Sequence, residues 1–287
     1  MLGISVKTMN SKTYTISPYY QAAIIQGASR LNHNTTELLQ TAGLQEVSNV
    51  RLSPDKVTKL IRSVWQVMDD EFMGFTGQRC KQGVFAFMAR QAIHCQTLRE
   101  ALILGTQFYH LTRNDIGLCF VEEGDEDQGG EARLSFYLKD KSLDPNHFIV
   151  EFFLLIWHRF SIWLVEQKVS LKYAQFSYPP PDHVKEYSLL FPCHCRFDQT
   201  ENSIIFDRSS LSLPIKKSEQ ELKQFLKNSP ADLLSKPMFH STFTTQVMNY
   251  MGESRVEVMP LMEKVASYFN MSSRNLRRRL KEENSSY

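Results

Sequence analysis

The feature that most constrains this chain is its longest apolar stretch, which runs from Phe148 to Val165. Glu151, His158 and Arg159 interrupt the stretch. Because each charge at the middle of a bilayer costs roughly 2.5 to 3.5 kcal/mol on insertion scales, the stretch is a poor membrane span, and we expect no membrane partner. The Asp-Pro pair at 144–145 is typical of a helix start. The pattern therefore predicts the longest helix of the chain, from this pair to the end of the stretch.

Capping residues and apolar spacing predict further helices before this stretch. Ser53 and Pro54 begin a helix whose apolar side chains recur every three or four residues. Thr97 with Glu100 forms a capping box at the start of another. The predicted helices lie at about 18–31, 35–43, 54–68, 82–94 and 97–111.

Short apolar segments predict a sheet. Segments 116–121 and 132–138 flank an acidic, glycine-bearing turn, which is typical of a hairpin. Further strands are predicted at about 169–176, 193–197 and 203–207, and a short helix at 182–190. Helices packed on a mainly antiparallel sheet define an α+β fold. With 287 residues, of which 42% are hydrophobic, the chain is long enough for one large or two unequal domains.

The polar side chains inside the longest helix are candidate ligand-binding residues. Glu151 and His158 lie seven positions apart near one stripe, and Arg159 is adjacent. Because unpaired burial costs several kcal/mol, these groups need partners or a polar cavity. One interpretation is a ligand pocket lined by Glu151, Trp157, His158 and Arg159. The other, which we favour, is a hydrogen-bonded network that ties the helix to the sheet, with Trp157 in the core.

The five cysteines predict reduced thiols. They are odd in number, and no secretory segment follows Met1, so we expect a cytoplasmic protein. Cys193, His194 and Cys195 alternate sides on a regular strand and therefore cannot bind one ion, so we predict a cysteine pair and no metal site. The sequence contains no phosphate loop, nucleophile elbow or zinc-protease helix. We therefore predict no catalytic residues, no cofactor and no enzymatic activity.

The C-terminal fifty residues concentrate positive charge. The whole chain has 33 basic and 31 acidic residues, yet the segment from Arg274 to Lys281 holds five basic residues and no acid. Short helices are predicted at about 239–252, 260–269 and 272–283, the arrangement of a helix-turn-helix whose last helix enters the major groove of DNA. Leu276 and Leu280 share one face of that helix. The opposite face carries Arg274, Arg277, Arg278 and Lys281. A basic helical face is also compatible with a solvated surface that binds nothing.

The string MSSRNLRRRLKEE at 271–283 resembles the first helix-turn-helix of AraC-family bacterial transcription regulators. The resemblance implies that Arg274, Arg277 and Arg278 face DNA, with Ser273 nearby, and Lys281 extends the same face. Asn275 and Arg277 stand where Thr and Gln are common in the family. Promoter DNA is therefore the implied partner.

The resemblance extends upstream. The segments GVFAFMAR, WHRFSIWL and FSYPPPDHVKEY look, in the same order, like the N-terminal domain named arabinose-binding in a large subgroup of these regulators. That name describes a domain type and does not make arabinose the ligand. The resemblance implies an unknown small-molecule effector.

These expectations divide the chain into three regions. We predict a ligand-sensing and dimerisation domain at 17–214, a connector helix and linker at 215–237, and the first helix-turn-helix unit at 238–287. Family members carry a second such unit, which we expect to be absent because the sequence stops at Tyr287. The expected function is a ligand-responsive transcription regulator, in which a homodimer would supply a second DNA-binding unit. The alternative is an interaction or sensor protein that lacks competent DNA binding because the second unit is missing.

Overall fold

A computed structural model of the chain describes residues 15–124, 129–234, 247, 261–268, 272–282, 285 and 287. The chain forms two compact units, residues 1–236 and 237–287. The first unit contains helices α1 (Tyr19–Arg30), α2 (Thr35–Thr41), α3 (Pro54–Met68), α4 (Val84–Ala92), α5 (Leu98–Thr112), α6 (Phe148–Val165), α7 (Tyr187–Leu190), α8 (Glu219–Asn228) and α9 (Ala231–Leu234). Its strands are β1 (Ile116–Glu123), β2 (Glu131–Leu138), β3 (Leu171–Gln175), β4 (His194–Arg196) and β5 (Ser203–Asp207). The predicted α+β class is confirmed.

The five strands form one sheet in the order β1-β2-β5-β3-β4. The predicted hairpin pairs β1 with β2, and Leu118 lies opposite Phe136. All neighbouring strands are antiparallel except β3 and β4, which run parallel. Leu134, Phe136 and Ile204 share one face of the sheet and are fully buried, so this face presents an apolar surface to the helices.

Helix α6 lies at the centre of the first unit. All its residues are buried except Phe152 and Trp163, which are half-buried. It contacts β2, β5, α1, α5 and α9, and the ring of Phe153 stacks on Phe136 of the sheet at 4.2 Å between centroids. By length and composition α6 resembles a membrane span, but 94% of it is buried inside the unit. It is therefore a core helix of the first unit.

The start of α6 differs from the prediction. The helix begins at Phe148, after a turn in which His147 has a φ of 61°. Asp144 lies outside the helix, and its Oδ2 accepts hydrogen bonds from the backbone N–H groups of Ile149 (3.1 Å) and Val150 (3.2 Å). The carboxylate thus caps the N-terminal turn from four residues upstream.

Close approach of α5 to α6 depends on a glycine. A Cβ atom built on Gly105 would lie 2.0 Å from the Cη2 atom of Trp157, whose side chain is 1% exposed. Because the indole is enclosed, it cannot move aside cheaply. Trp157 therefore fixes the distance between the two helices.

In the second unit, α10 (Met262–Tyr268) and α11 (Ser273–Glu282) pack together. Val265 and Ala266 of α10 are buried against Leu276 and Leu280 of α11, and Val247 belongs to the same cluster. The predicted helices at 260–269 and 272–283 appear as α10 and α11. The predicted helix at 239–252 lies outside the described residues apart from Val247.

We predict that Gly105→Ala destabilises the protein. Alanine is favoured over glycine within a helix, but here its methyl group would overlap the Trp157 ring, and overpacking of this kind costs about 1 to 3 kcal/mol. Chemical denaturation in urea should show a lower midpoint. Gln107→Ala, at an exposed position of the same helix, is the matched control and should leave the midpoint nearly unchanged. Equal midpoints for both variants would contradict the packing described for Trp157.

Candidate functional site

Glu151 lies in a cluster of hydrogen-bonding aromatic side chains. Its carboxylate accepts hydrogen bonds from the hydroxyl groups of Tyr20 (2.9 Å) and Tyr187 (2.5 Å), and His183 Nε2 lies 2.9 Å from the Oε1 atom. Burial, and then the charge of Glu151, raise the pKa of Tyr20 well above its ordinary value, so the tyrosine stays a neutral donor. The cluster joins α6 to α1 and α7.

The other predicted ligand-binding residues of α6 contact different elements. His158 Nε2 lies 2.9 Å from the carbonyl oxygen of Val169, just before β3. Burial lowers the pKa of His158 to about 4, so the ring is neutral near pH 7. The Arg159 Nη1 atom donates to the carbonyl oxygen of Leu233 in α9 at 3.4 Å, and Trp157 packs on α5. The four side chains therefore do not converge on one site.

A cavity of about 40 Å³ adjoins Glu151 among apolar residues such as Ile24 and Phe148. This volume holds a few water molecules at most. A wider depression of about 710 Å³ lies beside α1, and its wall consists largely of short side chains such as Ala22, Ser29 and Ser142. Neither offers the enclosed apolar walls of a typical small-molecule pocket.

A third cavity has the character of a binding site. It encloses about 410 Å³, within the usual range for small-molecule pockets, and lies between α3, α4, α6, the 71–83 loop and the α8–α9 segment. One wall is the α6 stripe of Ile149, Phe152, Phe153 and Ile156. We call it the α6–α8 cavity. Glu151, Trp157, His158 and Arg159 do not line it.

Glu71 is the acidic group of the α6–α8 cavity. Its Oε1 accepts the N–H of Gly83 (2.7 Å) and its Oε2 accepts the N–H of Phe85 (2.8 Å). Burial raises the pKa of Glu71 to about 7, the two backbone donors lower it by less, and neighbouring Asp70 and Asp69 raise it further. Among the described residues no basic side chain forms an ion pair with Glu71.

Tyr109 supplies a second polar group to the same cavity. The residue is 3% exposed and lines the cavity from α5. Among the described residues no hydrogen-bond partner of its hydroxyl is found. Burial, and then the charge of Glu71, raise the pKa of Tyr109 well above its ordinary value. The hydroxyl is therefore neutral and available to a bound molecule.

Sequence reasoning missed this cavity. Helix α6 is apolar on nearly every face, so periodicity gave no indication of which face borders a cavity. The one available signal was the run Asp69-Asp70-Glu71 directly after the amphipathic helix α3, and a run of acids in a loop is more often solvated.

The predicted DNA-binding residues lie on α11. Leu276 and Leu280 are buried, whereas Arg274, Arg277, Arg278 and Lys281 are exposed and Ser273 is half-buried. Ser272 Oγ accepts the backbone N–H of Asn275 at 3.3 Å, which caps the helix. The helix thus has one packed face and one cationic face.

The comparisons with known proteins give two findings. The family model described as the arabinose-binding domain of AraC transcription regulators, N-terminal, matches residues 33–215. Among solved structures, the transcriptional regulator CdpR from Pseudomonas aeruginosa is similar to this chain, with 15% identity, a TM-score of 0.40, and coverage of 96% of this chain and 82% of that one. No curated protein matches the chain significantly.

We predict that Glu151→Ala is strongly destabilising. The substitution leaves the buried donors of Tyr20 and Tyr187 without their acceptor, and breaking a buried charged network costs about 3 to 5 kcal/mol. Thermal unfolding followed by circular dichroism should show a much lower unfolding temperature than that of the parent. Glu46→Ala, which removes an exposed carboxylate, is the control. A variant as stable as the parent would show that the cluster does not support folding.

We predict that His158 makes the protein sensitive to acid. The pKa of His158 is lowered to about 4 in the folded protein from 6.5, so between these values the unfolded chain binds the proton better and stability falls as pH falls. Relative to His158→Asn, the parent should lose roughly 3 kcal/mol of unfolding free energy between pH 7 and pH 4. Taking the difference between the two proteins cancels the titration of Glu71 and Asp144. A pH-independent difference would contradict a neutral buried ring.

Proposed function

We propose that this chain, which belongs to the family of AraC transcription regulators with an N-terminal arabinose-binding domain, is a ligand-responsive regulator whose second unit binds promoter DNA. The observation that carries the proposal is the two-faced helix α11, in which Leu276 and Leu280 are buried while Arg274, Arg277 and Arg278 are exposed. The first unit acts as the sensor. The regulator works in the cytoplasm, without catalysis and without a membrane partner.

The cationic face of α11 suits DNA chemically. Guanidinium groups donate two parallel hydrogen bonds to guanine O6 and N7, and they also pair with phosphates. We assign base or phosphate contacts to Ser273, Arg274, Arg277, Arg278 and Lys281. Pairing of two copies of the chain would place two such helices on one site and so raise both affinity and specificity.

Sensing requires that an effector bind one arrangement of the protein better than another, since equal affinity for both shifts nothing. The α6–α8 cavity is suited to this requirement. Leu226, Lys227, Ser229, Pro230 and Leu233 contribute to its wall, and they belong to the last described segment of the first unit. A molecule in the cavity therefore contacts the segment that leads along the chain to the second unit.

We predict weak, salt-dependent DNA binding by a monomer of this chain. One recognition helix offers few base contacts, each worth about 1 to 3 kcal/mol, so binding should be largely electrostatic with a Kd on the order of 10⁻⁴ to 10⁻⁶ M at physiological salt. Fluorescence anisotropy across a salt series is the measurement. Arg274→Ala and Arg278→Ala should each weaken binding and reduce the log–log salt slope by about one.

The control for the DNA titration is Lys223→Ala, which removes an exposed cation from α8 in the first unit. It should leave the affinity and the salt slope unchanged. Tight, salt-insensitive binding that survives the arginine substitutions would overturn the assignment of α11. Complete absence of DNA binding would favour the alternative, a sensor or interaction protein without competent DNA binding.

A further inference from the structure

We propose that the α6–α8 cavity binds a small amine with an apolar body, whose ammonium group is held by the Glu71 carboxylate and the Tyr109 hydroxyl. This inference rests on the proposed sensing role of the first unit and names the chemical class of its effector. It depends on two polar groups of the cavity, Glu71 and Tyr109, and on the aromatic residues of the cavity wall.

The Glu71 carboxylate has no ion-pair partner among the described residues. Glu71 is held rigidly, because each carboxylate oxygen accepts one backbone N–H and the Trp65 Nε1 group donates to the Glu71 carbonyl oxygen at 3.0 Å. The backbone donors satisfy part of the hydrogen-bonding capacity of the carboxylate, but among the described residues no Lys or Arg forms an ion pair with it. An acid in this position gains most from a cation that enters the cavity, since opposite charges attract strongly where water is excluded.

Tyr109 lines the same cavity as Glu71. The residue is only 3% exposed, and no partner of its hydroxyl is found among the described residues, so the hydroxyl can bond a molecule that enters the cavity. The charge of Glu71 acts on the pKa of Tyr109, which is consistent with both groups facing the same space. An ammonium group has three donors, which can serve the carboxylate and the phenol oxygen together.

The walls of the cavity are largely aromatic. Aromatic rings surround the space, and they belong to Trp65, Phe72, Phe85, Phe152 and Phe153. Aromatic faces attract cations within about 6 Å of the ring centroid and also bury apolar groups. A carboxylate within an aromatic enclosure is the chemistry that recognises amines and quaternary ammonium groups.

An anionic ligand is less well served by the same residues. Arg62 lines the cavity, but its Nε donates to the Ser229 carbonyl oxygen (2.9 Å) and its Nη2 to the Lys227 carbonyl oxygen (2.5 Å). The guanidinium is therefore engaged with the end of α8. The side chain of Lys227 is exposed at the rim. A carboxylate inside the cavity would also lie near Glu71 and its acidic neighbours, which repel it.

The test is calorimetric titration of the full chain with three probes of similar shape: 4-phenylbutylamine, 4-phenylbutan-1-ol and 4-phenylbutyrate. At pH 8 the amine is expected to bind at least ten-fold more tightly than either analogue. Glu71→Gln should abolish this preference, and Tyr109→Phe should weaken amine binding several-fold while it keeps the ring in place. Glu46→Gln, at an exposed position, should bind like the parent.

A pH series adds a second readout. The pKa of Glu71 is about 7, so the carboxyl is mostly ionised at pH 8 and mostly protonated at pH 6, while the probe amine stays cationic. Amine affinity should fall about ten-fold over this range in the parent and stay flat in Glu71→Gln. Asp69 and Asp70 act on the pKa of Glu71, and the charge of Glu71 acts on Cys80 and Tyr109. Arg113 also acts on Cys80 and Tyr109, and Arg62 and Lys227 line the same cavity.

Three outcomes overturn the inference: no amine binding at millimolar concentration, equal binding of amine and alcohol, or preference for the carboxylate. Binding of the alcohol or the carboxylate alone would leave the first unit a small-molecule sensor and reject only the amine. Failure of DNA binding is measured separately by anisotropy, so it does not bear on this result. If Glu71→Gln fails to fold, as near-ultraviolet circular dichroism would show, Tyr109→Phe and the parent's probe selectivity still decide the question.

Discussion

The first unit depends on the burial of one helix that is apolar on nearly every side. An ordinary surface helix buries only one apolar stripe, whereas α6 has apolar side chains around most of its circumference. The sheet, α1, α5 and α9 pack against it and bury these side chains. Burying a side chain such as Phe160 or Leu154 contributes about 1.5 to 3 kcal/mol, so the helix as a whole is a major source of stability. Gly105 and the Asp144 cap serve this helix directly, through close approach and through a satisfied N-terminus.

The polar residues of α6 show how a buried helix tolerates charge. Glu151, His158 and Arg159 each reach a hydrogen-bonding partner on a different element, so each one links α6 to one part of its cover. Where α6 borders the α6–α8 cavity, by contrast, its side chains are wholly apolar, and the polar groups of the cavity come from α3, α5, the 71–83 loop and the α8–α9 segment. The same helix thus serves as structural core on most sides and as one wall of the α6–α8 cavity on the remaining side.

Local sequence patterns predicted the helices and strands well, but they gave no indication of which distant side chains meet. The hairpin of β1 and β2, the caps at Ser53 and Thr97 and the long helix itself are local features, and each is present in the structure. The partners of Glu151 lie far away in sequence, because Tyr20 precedes it by 131 residues and Tyr187 follows it by 36. Helical spacing alone placed Glu151 and His158 near one stripe. Because α6 is surrounded by several elements, these two side chains nevertheless contact different ones. The environment of Glu71 arises from the same kind of long-range packing.

The central claim is that a small molecule bound against α6 acts on the segment that leads to the second unit. Hydrogen–deuterium exchange of the full chain, with and without saturating 4-phenylbutylamine, tests it most directly, because exchange reports local opening free energies along the backbone. The account predicts slower exchange in residues 219–234 and 71–86, and unchanged exchange in β4, an edge strand of the sheet that contributes no residue to the cavity. Protection confined to the surroundings of Glu151 would contradict it, and so would exchange rates that the amine does not change anywhere in the chain.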